Sequence, residues 1–301
     1  MRLTVKKVGV SMMMLATFFW GYMGISSRYL NHISLRTVDI SFIRALSAAI
    51  MLTIYLFFRK RSAFRLPIKG ILFACLYGII CFAIGMSFYS LSVDNIPISV
   101  ATVLMFSNPI WATLFGKIFF GDPISKKKLV IMTLCLIGCM CIIDVFSARG
   151  AELNMIGVLA GILNGMTFSL QIVLPRFVEN KLSKDSLLFY GFWAATICLA
   201  FFVDIGDITN KVANSGRPYF YIAHLLAIGI LCTFVAITLY VNSTKYIGTS
   251  LPSMMSALEP VFASIIAYMV FSEVMKPIQV MGAVIIITSV VGLEVDIKKI
   301  I

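Results

Sequence analysis

Runs of apolar residues about 17 to 25 long, separated by short polar stretches, constrain this chain more than any other feature. A helix of that length covers the ~30 Å hydrocarbon layer of a bilayer. A closed barrel, the other structure that can satisfy its own backbone in lipid, needs alternating segments of about ten residues, which are absent. The runs are Gly9 to Arg28, Val38 to Phe58, Ile68 to Leu91, Pro97 to Phe120, Leu129 to Phe146, Leu153 to Leu174, Leu187 to Val203, Tyr219 to Ser243, Ser250 to Phe271 and Ile278 to Val295. With 60% hydrophobic and 13% charged residues, the interior such a chain requires is the bilayer itself. The expected fold is an all-α integral membrane protein with ten transmembrane helices. The first run follows Arg2, Lys6 and Lys7 as a signal peptide would, but it is too long for one and nine spans follow it.

A net charge of +12 would suggest nucleic acid if the positive residues formed a patch, yet they lie between the apolar runs. Alternating the connections places the clusters around Lys6, Arg61, Lys127, Arg176, Lys245 and Lys298 on one side. The other side receives Arg28, Arg36, Arg149, Lys211, Arg217 and Lys276. The richer side is cytoplasmic, which puts both termini there. Membrane lipid, not nucleic acid, is the expected surrounding. All seven cysteines lie inside apolar runs, where they act as small buried hydrophobes.

Five spans precede the polar break Ser147-Ala148-Arg149-Gly150, so the second five start from the opposite side. Residues 1–147 and 148–301 therefore read as two inverted repeats. A constant offset of 151 residues places Pro109 on Pro260, Phe120 on Phe271, Asp122 on the like-charged Glu273, Gly78 on Gly229 and Tyr89 on Tyr240.

A proline inside a membrane helix frees a carbonyl and is tolerated where that group meets protein, water or ligand. Pro109 and Pro260 are such helix breaks, and Asn108 and Glu259 precede them. Polar groups beside loosened backbone in both repeats point to a midplane binding site. A mid-membrane carboxylate is costly unless paired, protonated or hydrated. Glu259 either binds a substrate amine, carries a coupling proton, or is a neutral carboxyl bonded to neighbouring helices. Arg44 pairs with an acid, binds a substrate carboxylate, or snorkels outward. Asn164, Gln171, Asn242 and His224 are further polar candidates within spans. Aromatics such as Trp20, Tyr77, Tyr89, Phe168 and Tyr240 either line a cavity or pack. Gly157, Gly161 and Gly165 recur every fourth residue and allow a neighbouring helix to approach closely. With His32 and His224 the only histidines, there is no His-based metal cluster, no catalytic constellation and no expected cofactor.

Trp20-Gly21, Arg44-Ala45, Asn108-Pro109, Glu259-Pro260, and the exits Phe120-Gly121-Asp122 and Phe271-Ser272-Glu273 resemble the EamA family of the drug/metabolite transporter superfamily, over essentially the whole chain. The departure is at the first exit, where the family's usual Glu is Asp122, followed by Pro123. The resemblance implies two inverted five-helix repeats around a central cavity walled by helices one to four and six to nine. Trp20, Arg44, Asn108 and Glu259 would lie on or beside that cavity. It also implies a secondary transporter, not an enzyme, exporting a small polar or amphiphilic metabolite such as an amino acid by alternating access. A channel or facilitative pore is the alternative. A monomer or homodimer is expected, in a plasma membrane, specifically a bacterial inner membrane.

Overall fold

A computed structural model describes residues 2–145 and 154–300, with side chains described for 6–145 and 154–292. The polar break at 147–150, the repeat boundary at 147/148, the span ends at Phe146 and Leu153, and the side chains of Arg2, Lys298 and Lys299 lie outside the described residues.

Among the described residues there are helices and no strands. In chain order they are α1 (Arg2–Asn31), α2 (Thr37–Arg59), α3 (Ile68–Asn95), α4 (Ile98–Phe120), α5 (Lys126–Ile142), α6 (Met155–Val178), α7 (Lys184–Ala200), α8 (Ile205–Ala213), α9 (Pro218–Ile247), α10 (Ser250–Phe271) and α11 (Pro277–Ile300). Seven of them, α1 to α4, α6, α9 and α10, are long and apolar enough to cross a membrane. Helices α5 and α7 have 17 residues each. The chain bends by 87° between α7 and α8, a pair that makes an eighth span if taken as one broken helix. Large apolar side chains such as Leu72, Leu76, Ile118, Tyr268 and Met269 face outward, as a lipid-facing surface requires.

Three pairs of backbone irregularities recur at the offset of 151. Wide π-turns occupy Ile79–Ile84 in α3 and Ile230–Val235 in α9. Helix α4 is interrupted at Phe106 and Ser107, after which Asn108–Phe120 runs on; α10 passes through a tight 3₁₀ turn, Ser256–Leu258, before Glu259–Phe271. Left-handed caps come next at Gly121 (φ 70°) and Ser272 (φ 56°). Because π-turns are rare, two at one offset are far stronger evidence of duplication than scattered identities.

The halves interlock. Helix α3 crosses α7 where Gly78 meets Gly191, so closely that a methyl group on Gly78 would overlap the Gly191 backbone. At the equivalent place α9 crosses α2, with Gly229 against Ser47 and Ile43. Each repeat's third helix thus packs on the other repeat's second helix. The glycines of α6 bring it against Ser92 and Asn95 of α3, Ile96 just beyond it, and Leu104 and Ser107 of α4, the close approach that their spacing implied. Helix α8 was not foreseen. Its Asp204 carboxylate accepts from the Gly206 and Asp207 amides, and Ile208 and Val212 pack with Leu30, Leu35, Ile40 and Leu225 beneath it.

Candidate functional site

The two interrupted helices meet near their breaks. Pro109 has no N–H to offer the Met105 carbonyl, and Asn108 Nδ2 reaches back to it at 3.4 Å while also donating to Ser256 Oγ across the repeat boundary at 3.3 Å. Ser256 in turn donates to the Ser253 carbonyl at 2.6 Å. Asn108 is fully buried, and its Oδ1 has no hydrogen-bond partner. Buried acceptors left unpaired are uncommon in native structures.

Glu259 opens the second half-helix of α10, where the helix dipole favours negative charge. Arg44 of α2 lies within electrostatic range of it, and Tyr89 of α3 is within range of both. All three are half-buried rather than sealed. Arg44 Nε donates to Thr233 Oγ1 at 3.0 Å, and Thr233 donates to the Ile228 carbonyl at 2.9 Å, a carbonyl of the second π-turn region. Thr233 therefore carries both the bulge and the guanidinium.

The repeat makes the asymmetry of this arrangement visible. At the offset of 151 Thr233 corresponds to Phe82, and at the offset of 148 that relates the first two helices of each repeat, Arg44 corresponds to Phe192. Phe82 and Phe192 stack at 4.3 Å with planes 8° apart. One helix crossing is thus charged and hydrogen-bonded, and its counterpart is a pair of stacked rings. Glu259 likewise stands opposite Asn108. The charged chemistry is concentrated at one of two pseudo-equivalent places.

Between them lies an aromatic cluster. Trp20 packs edge-on against Phe168 at 5.6 Å and Tyr240 at 5.1 Å, while Phe168 and Tyr240 stack at 5.8 Å. Trp20 and Phe168 are themselves equivalents, 148 residues apart. Phe168 is half-buried, whereas Trp20 and Tyr240 are nearly sealed.

The structure does not bring Tyr77 and Asn164 to the charged group. Both are struts tying α6 to the first π-turn. Tyr77 donates to the Gln171 carbonyl at 3.0 Å, Asn164 Nδ2 to the Gly85 carbonyl at 2.8 Å, and Gln171 Nε2 to the Cys81 carbonyl at 3.4 Å. His224 is satisfied locally, its Nδ1 2.9 Å from Ser26 Oγ among the rings of Tyr29 and Phe220. Thr233 and Ser256 are the polar partners that sequence reasoning missed. The alignment of Thr233 with Phe82 of the other repeat is the signal that sets it apart from an ordinary packing position. Among the described residues no group of three or more metal-ligating side chains occurs.

Helices of membrane-spanning length, two interlocked repeats, and broken helices bearing polar groups at their junction define a multi-pass membrane protein of the transporter class. Residues 7–144 and 155–294 each match the EamA-like transporter family, and the chain belongs to that family. It is 22% identical over 204 residues to an uncharacterized transporter of Archaeoglobus fulgidus, covering 67% of this chain and 69% of the relative. An uncharacterized transporter of Clostridium kluyveri is 25% identical over 224 residues, 71% of this chain and 69% of that one. The S-adenosylmethionine uptake transporter of Rickettsia felis is 23% identical over 277 residues, 91% and 88% of the two chains. A solved crystal structure shares the fold with a TM-score of 0.73 over 96% of each chain, at 14% identity.

Proposed function

We propose that this protein is a secondary transporter of ten membrane-spanning helices in two inverted five-helix repeats, with cytoplasmic termini, that carries a small zwitterionic or amphiphilic metabolite across a bacterial plasma membrane by alternating access. The observation that carries this reading is Glu259 at a half-helix start, half-buried and within electrostatic range of the half-buried Arg44 and Tyr89. An amino-acid-like solute matches such a group, with its ammonium toward Glu259, its carboxylate toward Arg44, and its apolar part toward Phe168 and Tyr89. The Asn108 carbonyl oxygen offers a further acceptor. The Rickettsia felis relative is named for an amino-acid derivative, which fits the same class. Helices α5 and α7, with 17 residues each, stand at the ~17-residue lower limit for spanning and complete the count with α11. The direction we expect is export.

The test is flux of labelled amino acids, amino-acid derivatives and polyamines in proteoliposomes of both orientations, for wild type, Glu259→Gln and Arg44→Met. Saturable flux with counterflow, strongly reduced in both variants, supports the proposal. Flux that rises without saturation identifies a pore instead, and saturable flux unchanged in both variants moves the site elsewhere.

A further inference from the structure

Each repeat ends its fourth helix with the same small device, and each device is engaged by an arginine from the other repeat. In the first, α4 closes at Phe120, turns through left-handed Gly121 and presents Asp122. Arg176, at the end of α6, makes a two-pronged hydrogen bond to Asp122 at 2.6 and 3.0 Å, with its guanidinium 3.9 Å from the Phe120 ring centre. In the second, α10 closes at Phe271, turns through left-handed Ser272 and presents Glu273. Arg28, near the end of α1, pairs with Glu273 while its guanidinium lies 4.5 Å from the Phe271 ring centre. The ring and acid positions are related by 151 residues, and Arg28 and Arg176 by 148, the same offsets that relate the rest of the repeat. The two assemblies stand at opposite ends of the helix bundle, because α1 and α6 end at opposite ends of it.

Duplication alone would preserve a sequence motif. The pseudo-symmetry carries both arginines across to the opposite repeat, but it does not require both pairs to stay charged and ring-stacked, and the Arg44–Thr233 contact has become a Phe192–Phe82 stack at its equivalent place. A planar guanidinium holding a carboxylate while stacked on an aromatic face is a directional joint that opens only if the two helix ends separate. The joint at the Lys- and Arg-rich end also borders a cavity of about 520 Å³, lined by Lys128, Glu179, Thr244 and Ser250 among others, between the ends of α4, α6, α9 and α10. Its arginine and aspartate are 26% and 30% exposed, against 53% and 49% for Arg28 and Glu273.

Resting on the transporter reading above, we infer that Arg176–Asp122 and Arg28–Glu273 are paired latches, one at each mouth, and that they set the balance between the inward-open and outward-open states. Opening a mouth breaks its own latch and leaves the other closed. Removing one latch therefore biases the protein toward opening at that end, and removing the other biases it the opposite way. Arg28, Arg176, Asp122 and Glu273 act on transport through conformation.

The experiment reads distance, not flux, so it stands or falls independently of substrate. Spin-label pairs at Lys126 and Lys181 report one mouth, and pairs at Asn31 and Val274 report the other, in the full chain reconstituted in nanodiscs. Asp122→Asn should enlarge the long-distance population at the 126/181 mouth by about 5-fold, the effect of losing one modest interaction, and leave the 31/274 mouth closed. Glu273→Gln should do the reverse. The exchanged pair Asp122→Arg with Arg176→Asp should restore wild-type distances and guards against a folding defect in the single variant. Opposite responses with failed transport would retain the latches and discard the transport reading. Single variants that leave both distributions unchanged, or that both open the same mouth, would overturn the latch assignment.

Discussion

Replacing Thr233 by valine removes one hydroxyl and almost no volume, so its effect isolates the two hydrogen bonds that this hydroxyl makes. Thr233 is fully buried, accepts from Arg44 Nε at 3.0 Å and donates to the Ile228 carbonyl at 2.9 Å. A hydrogen bond to a charged group contributes about 1.5–3 kcal/mol in soluble proteins. Interhelical hydrogen bonds within membranes average nearer ~0.6 and reach ~1.7 kcal/mol, because the unfolded helices find other partners in lipid. Arg44 is charged but half-buried, and the π-turn carbonyl loses its extra donor at the same time. The expected loss is therefore about 1–2 kcal/mol, with about 0.6–1.7 kcal/mol of it specific to the Arg44–Thr233 pair. The assay is reversible unfolding by increasing SDS in bicelles, run as a cycle of wild type, Thr233→Val, Arg44→Met and the double variant. Thr233→Ser keeps the hydroxyl and should stay close to wild type. If the two single effects add in the double variant to within about 0.3–0.5 kcal/mol, the two side chains are not coupled and Thr233 does not hold Arg44.

Three further outcomes are expected. Ser272 sits at φ 56°, where glycine stands in the other repeat, so Ser272→Gly should raise stability by roughly 1 kcal/mol in the same SDS assay; a decrease would show that its side chain has a role at the cap. Gly78→Ala should push α3 off the Gly191 backbone and markedly lower both thermal stability and yield, whereas Gly24→Ala, inside α1 with open space around it, should lower neither. The hydrogen bond from Arg176 holds the Asp122 carboxyl below its usual range, so the stabilisation from that pair is complete above the unfolded value of ~3.9 and is lost as pH falls through the lower folded value. The distance between labels at Lys126 and Lys181 should accordingly stay constant from neutral to mildly acidic pH and widen only in strong acid; widening near neutrality would contradict the pairing.

Hydrophobic run length made the helical membrane fold legible, because in lipid the span is dictated by bilayer thickness and backbone satisfaction alone. The duplication was legible from Pro109 and Pro260, since a proline within a span is costly and two at one offset are hard to explain otherwise. The π-turns at 79–84 and 230–235 were not, because an extra residue in a helical turn leaves no residue-type signature. Helix α8 was hidden for a different reason. Its few apolar residues make a single narrow stripe, and Ile208 and Val212 become informative only once the ends of α1, α2 and α9 lie beneath them. At the site, Trp20, Arg44, Asn108 and Glu259 stood out as polar or aromatic residues beside small or broken positions, but their partners depend on which helices cross. Thr233 lies 189 residues from Arg44, and Ser256 lies 148 from Asn108. Tyr77 and Asn164 looked the same in sequence as Arg44 and Glu259, and only packing shows that they tie α6 to the first π-turn. The latch arginines are related by an offset of 148 and their acids by one of 151, so a single alignment without gaps passes over their equivalence.

The most direct test of the central claim is solute counterflow in proteoliposomes loaded with the best transported amino-acid-like compound, comparing wild type with Glu259→Gln. A carboxylate that binds the solute predicts saturable wild-type counterflow that the variant loses or reduces by at least about tenfold, the effect of removing one charge-assisted contact to a bound cationic group. Counterflow of equal rate and affinity in the two proteins would contradict it.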